Sequence, residues 1–218
     1  TRIPYTDKEK QLEPFTSSTA ISNGWVWNIP LWSRIGTGYV YSDDHVTPEV
    51  ALNEFKMYLN CKGVDHSNLE FKDLKMRIGL HDRIFVKNVC AIGLSAGFIE
   101  PLESNGLYTV HMFLVELMRT LDRNQGASGI ASEWDKGVFN ITCKKMFKEF
   151  ATFVSMHYGL TQRSDNKYWK DCYNRSYDHD LLEESLSHVY GFKNFGLDRT
   201  VGKQFYPTGG FPMIATGM

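Results

Sequence analysis

The sequence predicts an α+β fold, in which a sheet-rich N-terminal region is followed by a mostly helical one. Side chains alternate with a strand-like period over residues 25–29. Apolar residues instead recur every three or four positions over residues 103–121 and again over residues 139–157, which is the spacing of amphipathic helices. The change of period falls near Leu102, where we expect the helical region to begin.

The composition is typical of a globular protein that binds a small molecule. The 218 residues are 42% hydrophobic and 14% aromatic, and the net charge of -1 indicates no general attraction to nucleic acid or membranes. No apolar run approaches the roughly 20 residues of a membrane span. The cysteines are widely spaced, without a CxxC pair or a metal-site pattern: Cys61, Cys90, Cys143 and Cys172. We expect a cytoplasmic protein with reduced thiols and no metal site.

Two strands are predicted near the N-terminus. The alternation over Trp25–Ile29 indicates a strand that Pro30 ends, and Ile35–Tyr41 has the pattern of a second strand. Within the second strand, Gly36-Thr37-Gly38 leaves the backbone uncovered by side chains. We therefore expect a flat partner to lie against this strand.

A helix and a further sheet region should follow. The helix is predicted over Thr47–Gly63, because a capping hydroxyl is followed by a proline at the first helical position. Its apolar stripe consists of Val50, Leu52, Phe55 and Leu59. Paired strands are expected over residues 69–71 and 74–78, and then a buried strand over residues 84–92 that runs into the glycine-rich turn 93–97.

The helical region contains two long amphipathic helices. The first carries Leu107, Val110, His111, Leu114, Leu117, Met118 and Leu121 on one face, with His111 expected in the core. The second packs an aromatic-rich face of Phe139, Cys143, Met146, Phe147, Phe150, Phe153, Val154 and His157. A shorter helix is predicted over residues 180–190, and the last 27 residues should form a tail over the surface.

The turn before the first long helix has the properties of an anion-binding site. Residues 89–107 are predicted as a strand, a glycine-rich turn and a helix start, where unpaired N–H groups meet the positive end of a helix dipole. Asn105 and Gly106 would offer amides to a halide-sized ion, and Glu103 and Ser104 would lie in the first turn. An ordinary reading stays open, because acidic residues favour first turns and glycines close turns in many proteins.

Aromatic side chains form a second group. Trp25 and Trp27 lie on one face of the predicted strand, and Tyr158, Tyr168 and Trp169 lie far downstream. Aromatic walls bind flat aromatic substrates by stacking and keep water away from reactive chemistry. Most aromatic groups are core, however, and that alternative stays open as well.

Residues 24–30 carry a family signature. They read GWVWNIP, which resembles the GWxWxIP motif of the flavin-dependent halogenases of the tryptophan halogenase family. The likeness continues over residues 31–42, LWSRIGTGYVYS, and over residues 93–104, GLSAGFIEPLES, and covers roughly residues 1–175. This resemblance implies that the chain is an α+β fragment of an α/β flavoprotein.

The resemblance also implies a chemistry. In such enzymes, FAD that a separate flavin reductase has reduced reacts with oxygen and then with chloride or bromide, and hypohalous acid passes through a short tunnel to an aromatic substrate. By position, Trp25, Trp27, Ile29 and Pro30 would line that tunnel and keep the flavin from acting as a hydroxylase. Glu103 matches the catalytic glutamate that orients the oxidant or accepts the ring proton.

Further positions match the family's halide and flavin contacts. Ser104 follows the catalytic glutamate and is the second catalytic residue that the resemblance implies. Backbone lies beside the halide and the flavin ring at positions that here are Gly93, Gly97, Ser104, Asn105 and Gly106. The family pattern and the anion-binding turn therefore indicate the same segment.

One departure concerns completeness. The family's GxGxxG fingerprint and catalytic lysine lie upstream of the tryptophan motif, and this chain starts too late to contain either. We expect the chain alone neither to bind flavin tightly nor to halogenate. Residues 1–101 would be the sheet-rich part of the FAD-binding module, and residues 102–218 the helical substrate-binding region.

A second departure concerns the substrate. Tryptophan-specific members hold the amino acid's polar end with a tyrosine pair and a glutamate, whereas the matching stretch here reads His157-Tyr158-Gly159 and then Ser164. Tyr168 and Trp169 keep the aromatic wall, so His157, Tyr158, Tyr168 and Trp169 would bind the substrate. An indole without the amino-acid group, a phenol or a peptide-bound residue would fit better than free tryptophan.

The sequence thus predicts a flavin-dependent halogenase that acts on a small, electron-rich aromatic. Its partners would be that substrate and a transiently bound flavin reductase, with a homodimer left open and no nucleic acid or membrane. A flavin-dependent aromatic monooxygenase is an alternative that the tryptophan motif disfavours. A non-catalytic aromatic-binding remnant of such an enzyme is the other.

Overall fold

The computed structural model describes residues 1–123 and 130–175, which form two compact units. The first unit consists of Thr1–Lys75 and Arg163–Cys172, and the second of Met76–Gln162 with the described residues from Tyr173 onward. The α+β class is confirmed. The division by function at residues 101 and 102 stays a prediction, and the helix predicted over residues 180–190 and the C-terminal tail lie outside the described residues.

The first unit is built on a four-stranded antiparallel sheet. Its order is β1 (Arg2–Ile3), β4 (Arg34–Tyr41), β3 (Gly24–Leu31) and β2 (Ser17–Ile21), and the short helix α1 (Lys8–Gln11) lies between β1 and β2 in the chain. Both predicted strands are confirmed.

The sequence predicted that this strand ends at Pro30. In the structure, β3 continues through Pro30 and ends at Leu31. Pro30 pairs with Ile35 of β4, close to the chain reversal. On its other side, β3 pairs with β2 only as far as Asn28. The proline therefore stands where one side of the strand has no neighbour, which is the position at which a missing N–H is tolerated.

The glycines of β4 make room for a side chain of β3. A Cβ atom built on Gly38 would lie 2.5 Å from the Trp27 ring, and one built on Gly36 would lie 3.5 Å from it. The flat partner expected on this strand is thus the chain's own Trp27 indole. Trp25, the other indole of the motif, is 5% exposed.

Helix α2 (Pro48–Cys61) covers one face of this sheet. Thr47 caps it, as predicted, and Phe55 and Leu59 pack with Ile3 and Val26 in the core of the unit. Its buried face is Ala51, Phe55 and Leu59, whereas Val50 is 45% exposed. The predicted stripe was wrong at Val50 because the buried residues follow a strict spacing of four.

The two strands predicted over residues 69–71 and 74–78 are absent from the structure, in which residues 69–78 form no strand. Leu74, Met76 and Ile78 are exposed, so their alternation is not the alternation of a half-buried strand. Pairing begins only at β5 (Gly79–Leu80), which lies antiparallel to β8 (Gly97–Phe98).

The buried strand predicted over residues 84–92 is instead a tight hairpin of β6 (Phe85–Val86) and β7 (Val89–Cys90). The chain reverses at Lys87, whose φ of 54° is left-handed. The Asn140 side chain accepts hydrogen bonds from the N–H groups of Ile84 and Phe85, each at 2.8 Å, and donates to the Phe85 carbonyl at 3.0 Å. A helix side chain therefore satisfies backbone groups that the sequence pattern assigned to a longer strand.

Two long helices complete the second unit. Helix α3 (Asn105–Asp122) packs against α4 (Glu133–Gly159), and their shared core includes Phe113, Phe139, Cys143 and Met146. Ser132 and Asp135 form a capping box at the start of α4. Both predicted helices and the aromatic-rich face of α4 are confirmed.

The face of α3 that packs inward differs from the predicted one. Phe113, Glu116 and Thr120 are buried, whereas His111 is exposed. Among the exposed residues are Leu107, Leu114, Met118 and Leu121 of the predicted stripe. Arg123 and Arg119 pair with the buried Glu116 at 3.3 Å and 3.7 Å, which explains how a carboxylate is tolerated on the inner face.

Helix α5 (Lys167–Arg175) was not predicted. Among the described residues, no helix is both long enough and apolar enough to cross a membrane. In the same part of the chain, no group of three or more histidine, cysteine or acidic residues is arranged to hold a metal ion.

Candidate functional site

Glu103 lies in an unusual backbone turn immediately before α3. Residues Leu102–Ser104 form a short helical turn in which Glu103 (φ 60°, ψ 13°) and Ser104 (φ 52°, ψ 30°) are both left-handed. This conformation costs about 1–2 kcal/mol for each non-glycine residue. Two such residues in succession must be held by their surroundings, and backbone strain of this kind is found most often at functional sites. Glu103 was expected in the first turn of the helix, but α3 begins only at Asn105. Because Glu103 and Ser104 are left-handed, the α-helix begins only after them.

Buried neighbours hold this turn in place. Leu102 and Asn105 are 8% and 4% exposed, and the Asn105 side chain donates to the Leu102 carbonyl at 2.9 Å. The Ser104 N–H donates to the Pro101 carbonyl at 3.0 Å. Because Leu102 and Asn105 are fixed inside, Glu103 and Ser104 lie on the outside of the turn, and both are exposed.

The Glu103 carboxylate contacts His157 near the end of α4. Its Oε1 atom lies 3.2 Å from His157 Nε2, and His157 Nδ1 lies 3.0 Å from the Phe153 carbonyl oxygen. The side chains are 38% and 15% exposed, respectively. The contact joins two residues that the sequence assigned to different roles, Glu103 to catalysis and His157 to the substrate.

A second carboxylate makes a parallel contact one residue along α4. The Tyr158 hydroxyl lies 2.9 Å from both carboxylate oxygens of Glu100. Burial raises the pKa of Glu100 to about 7, and the hydrogen bond from Tyr158 offsets only part of that effect. The sequence reasoning missed Glu100, although it lies within the family-like segment of residues 93–104.

An apolar cleft of about 260 Å³ lies beside the start of α3. Four of the five residues predicted to contact halide and flavin line it, namely Gly93, Gly97, Asn105 and Gly106. The rest of the wall is mostly apolar and includes Leu80, Phe98, Val110 and Phe113. The second unit thus brings together most of the predicted halide and flavin positions.

Two glycines shape this cleft. A Cβ atom on Gly97 would lie 2.4 Å from the Gly79 carbonyl oxygen and 2.8 Å from the Cα atom of Leu80, so the close pairing of β5 with β8 requires a glycine. Gly93 has a left-handed φ of 68°, and its Cβ would lie 3.3 Å from the Val110 side chain. Both positions therefore keep backbone at the wall of the cleft.

The other predicted aromatic residues belong to the first unit. Tyr168 and Trp169 are 7% and 4% exposed, and their rings meet edge to face at 5.0 Å. The Trp169 indole N–H donates to the Ile21 carbonyl at 2.9 Å, and the Arg163 guanidinium lies over the ring at 4.8 Å. Helix α5 is thereby attached to the end of strand β2.

The same helix is also attached through a histidine. His45 Nε2 lies 3.0 Å from Asp171 Oδ2, and the edge of the His45 ring meets Tyr168 at 5.2 Å. The residues predicted to line the tunnel lie in the same unit and differ in exposure, since Trp25 is buried and Trp27, Ile29 and Pro30 are half-buried.

Comparison with known proteins identifies the family. The tryptophan halogenase family model matches residues 3–217. The chain is 32% identical over 185 residues to the 7-chloro-L-tryptophan 6-halogenase KtzR of Kutzneria sp. strain 744. The aligned residues cover 84% of this chain and 34% of the relative. The chain belongs to the tryptophan halogenase family.

Solved structures agree with this assignment. The structure of VirX1 without ligand matches with a TM-score of 0.81 and 33% identity, over 100% of this chain and 41% of that one. The tryptophan 6-halogenase SttH of Streptomyces toxytricini matches with a TM-score of 0.82 and 28% identity, over 99% and 42%. The chain spans about a third of the length of the curated relatives it matches.

Proposed function

We propose that the protein is a flavin-dependent halogenase that installs chloride or bromide on an electron-rich aromatic substrate. Membership of the tryptophan halogenase family supports this proposal. The observation that carries it is the position of Glu103, an exposed carboxylate in a left-handed turn two residues before Asn105, which lines an apolar, glycine-walled cleft.

In this proposal, the flat ring of a flavin would lie in the cleft. Its wall combines bare backbone at Gly93, Gly97 and Gly106 with apolar side chains, and a Cβ atom on Gly106 would meet no atom within 4 Å. Bound there, FAD would supply the oxidation of halide by oxygen that yields hypohalous acid. Ser104, Asn105 and Gly106 would hold the halide at the start of α3.

Glu103 would act on the aromatic ring. An exposed carboxylate is the ordinary general base for a proton that leaves a halogenated ring carbon, and Ser104 adds a hydroxyl beside it. Glu103 contacts His157 through Oε1, and among the residues that the structure describes none donates a hydrogen bond to its Oε2 atom. That oxygen would accept the proton.

Trp25, Trp27, Ile29 and Pro30 would line the route of the oxidant, as the family motif implies. The fixed position of Trp27 against Gly36 and Gly38 supports this role, because an indole that guards a passage must not move aside.

The substrate would be an indole or phenol without a free amino-acid group. Recognition of an ammonium group needs an available carboxylate. The Glu100 carboxyl is buried against the Tyr158 hydroxyl, and Glu103 contacts His157 through Oε1 and would use its other oxygen for the ring proton, so neither carboxylate would bind an ammonium group. Tyr158 would contact the aromatic ring, and a flavin reductase would supply reduced FAD.

The test is an assay of the complete gene product with a flavin reductase, NADH, oxygen and either chloride or bromide. A panel of indoles, phenols and free tryptophan is followed by mass spectrometry. We expect the mass shift and isotope pattern of a halogenated ring, with free tryptophan converted more slowly than simple indoles. A gain of one oxygen would instead support the monooxygenase, and aromatic binding without turnover would support the non-catalytic alternative.

A further inference from the structure

The His157 ring is fixed in one orientation by α4 itself. Its Nδ1 atom lies 3.0 Å from the Phe153 carbonyl oxygen, one helical turn earlier. The edge of the imidazole meets the Phe153 ring at 5.1 Å with an interplanar angle of 89°. Because a carbonyl oxygen only accepts hydrogen bonds, Nδ1 carries a hydrogen.

This tautomer determines what lies between His157 and Glu103. In a neutral ring protonated at Nδ1, Nε2 is an acceptor, and a carboxylate is an acceptor as well. The two atoms nevertheless lie 3.2 Å apart. A hydrogen bond between them therefore requires a hydrogen on one of these two atoms.

A neighbouring contact fixes the end of α4 against the same segment. Glu100 meets Tyr158 at 2.9 Å, just as Glu103 meets the preceding residue, His157. Two carboxylates three residues apart are thus matched with two consecutive residues of one helix. These two contacts together fix the position of His157, along the axis of α4, relative to the left-handed turn.

We propose that His157 is a positioning residue for Glu103, a role distinct from the direct substrate contact inferred from the sequence. It holds Oε1 through the 3.2 Å contact with Nε2, so that Oε2 points to the reacting ring. The proposal rests on the proposed function, because it assigns Glu103 the role of the base.

Three substitutions in the complete gene product separate positioning from packing. His157→Gln keeps an amide N–H close to the position of Nε2, His157→Asn keeps a donor close to Nδ1 only, and His157→Phe keeps the ring and its edge contact. We expect kcat for halogenation to fall at least 20-fold in His157→Asn and His157→Phe, with KM within about threefold. His157→Gln should recover to within about fivefold of the native kcat.

Two outcomes would overturn the proposal. One is a native kcat in His157→Asn and His157→Phe, and the other is a loss in His157→Gln as large as in His157→Phe. The rate at which oxygen reoxidises the reduced flavin, measured in the same samples, should be unchanged in all three variants. A packing defect would lower it together with halogenation.

A second measurement does not depend on activity. In ¹⁵N-detected histidine spectra of the protein without substrate, we expect Nδ1 of His157 to be protonated and Glu103→Gln to shift its Nε2 signal. The exposed His111 on α3 should not respond and serves as the control. An unchanged Nε2 signal would contradict the contact. If the native protein forms no halogenated product, the proposed function fails, whereas the spectra still decide whether His157 holds Glu103.

Discussion

Trp27 of the tryptophan motif can pack against strand β4 only because Gly38 has no side chain. We predict that Gly38→Ala lowers the free energy of unfolding by about 1–3 kcal/mol, because the new methyl group would lie 2.5 Å from the Trp27 ring. Chemical denaturation measures this change. Gly137→Ala, in the interior of α4 with nothing within 4 Å of the new Cβ, is the matched control and should be neutral or stabilising by up to about 1 kcal/mol. Equal effects at the two glycines would refute the packing account.

Glu100 should make stability depend on pH. Burial raises its pKa to about 7 in the folded state, above the ordinary value of 4.5, so the folded protein retains a proton that the unfolded chain has lost. The stability from this group is present in full below pH 4.5 and is lost as the pH rises to about 7. We predict a shallower decline between these values in Glu100→Gln, as measured by urea unfolding at several pH values. An unchanged slope would show that Glu100 ionises normally.

At the level of residues, the sequence predicted part of the candidate site. The family motif indicated Glu103 and the glycines of the cleft, because their identity is visible in the chain itself. The left-handed conformation of Glu103 and Ser104 was not predictable, since neither residue type requires it. The contacts of Glu103 with His157 and of Glu100 with Tyr158 join positions 54 and 58 residues apart, which no local pattern reports.

Among the elements, the helices were easier to predict than the short strands. The helical spacing of apolar residues extends over many positions in both α3 and α4, and both segments are helices in the structure. Which face of α3 is buried was predicted wrongly, because packing against α4 selects Phe113, Glu116 and Thr120, and a carboxylate there is acceptable only with its arginine partners. Periodicity predicts a helix, but the neighbour decides which side faces inward.

The β6–β7 hairpin shows why the predicted strand over residues 84–92 was wrong. One side chain, Asn140, satisfies three backbone groups of the segment. We predict that Asn140→Ala lowers the free energy of unfolding by about 2–4 kcal/mol, since two N–H groups would lose their acceptor. Thermal and chemical denaturation measure the effect. Asn53→Ala, at an exposed position of α2, is the control and should change little. A small effect at Asn140 would mean that water replaces its amide.

For the molecule as a whole, the fold class and the family were predictable from a few segments, whereas the division of the chain was not. The segment 163–172 groups with the first 75 residues, through contacts such as those of Trp169 with Ile21 and of Asp171 with His45. These contacts span more than 120 residues, so periodicity and composition do not reveal them. The family motif, by contrast, is contiguous and can be read directly.

The most direct test of the central claim is the effect of Glu103→Gln on halogenation by the complete gene product. We predict that kcat for product formation falls at least 100-fold, because the amide cannot accept the ring proton, while flavin oxidation continues at the native rate. Glu133→Gln, the same change at an exposed position in the same unit, should leave both rates unchanged. Halogenation at the native rate in Glu103→Gln would contradict the account.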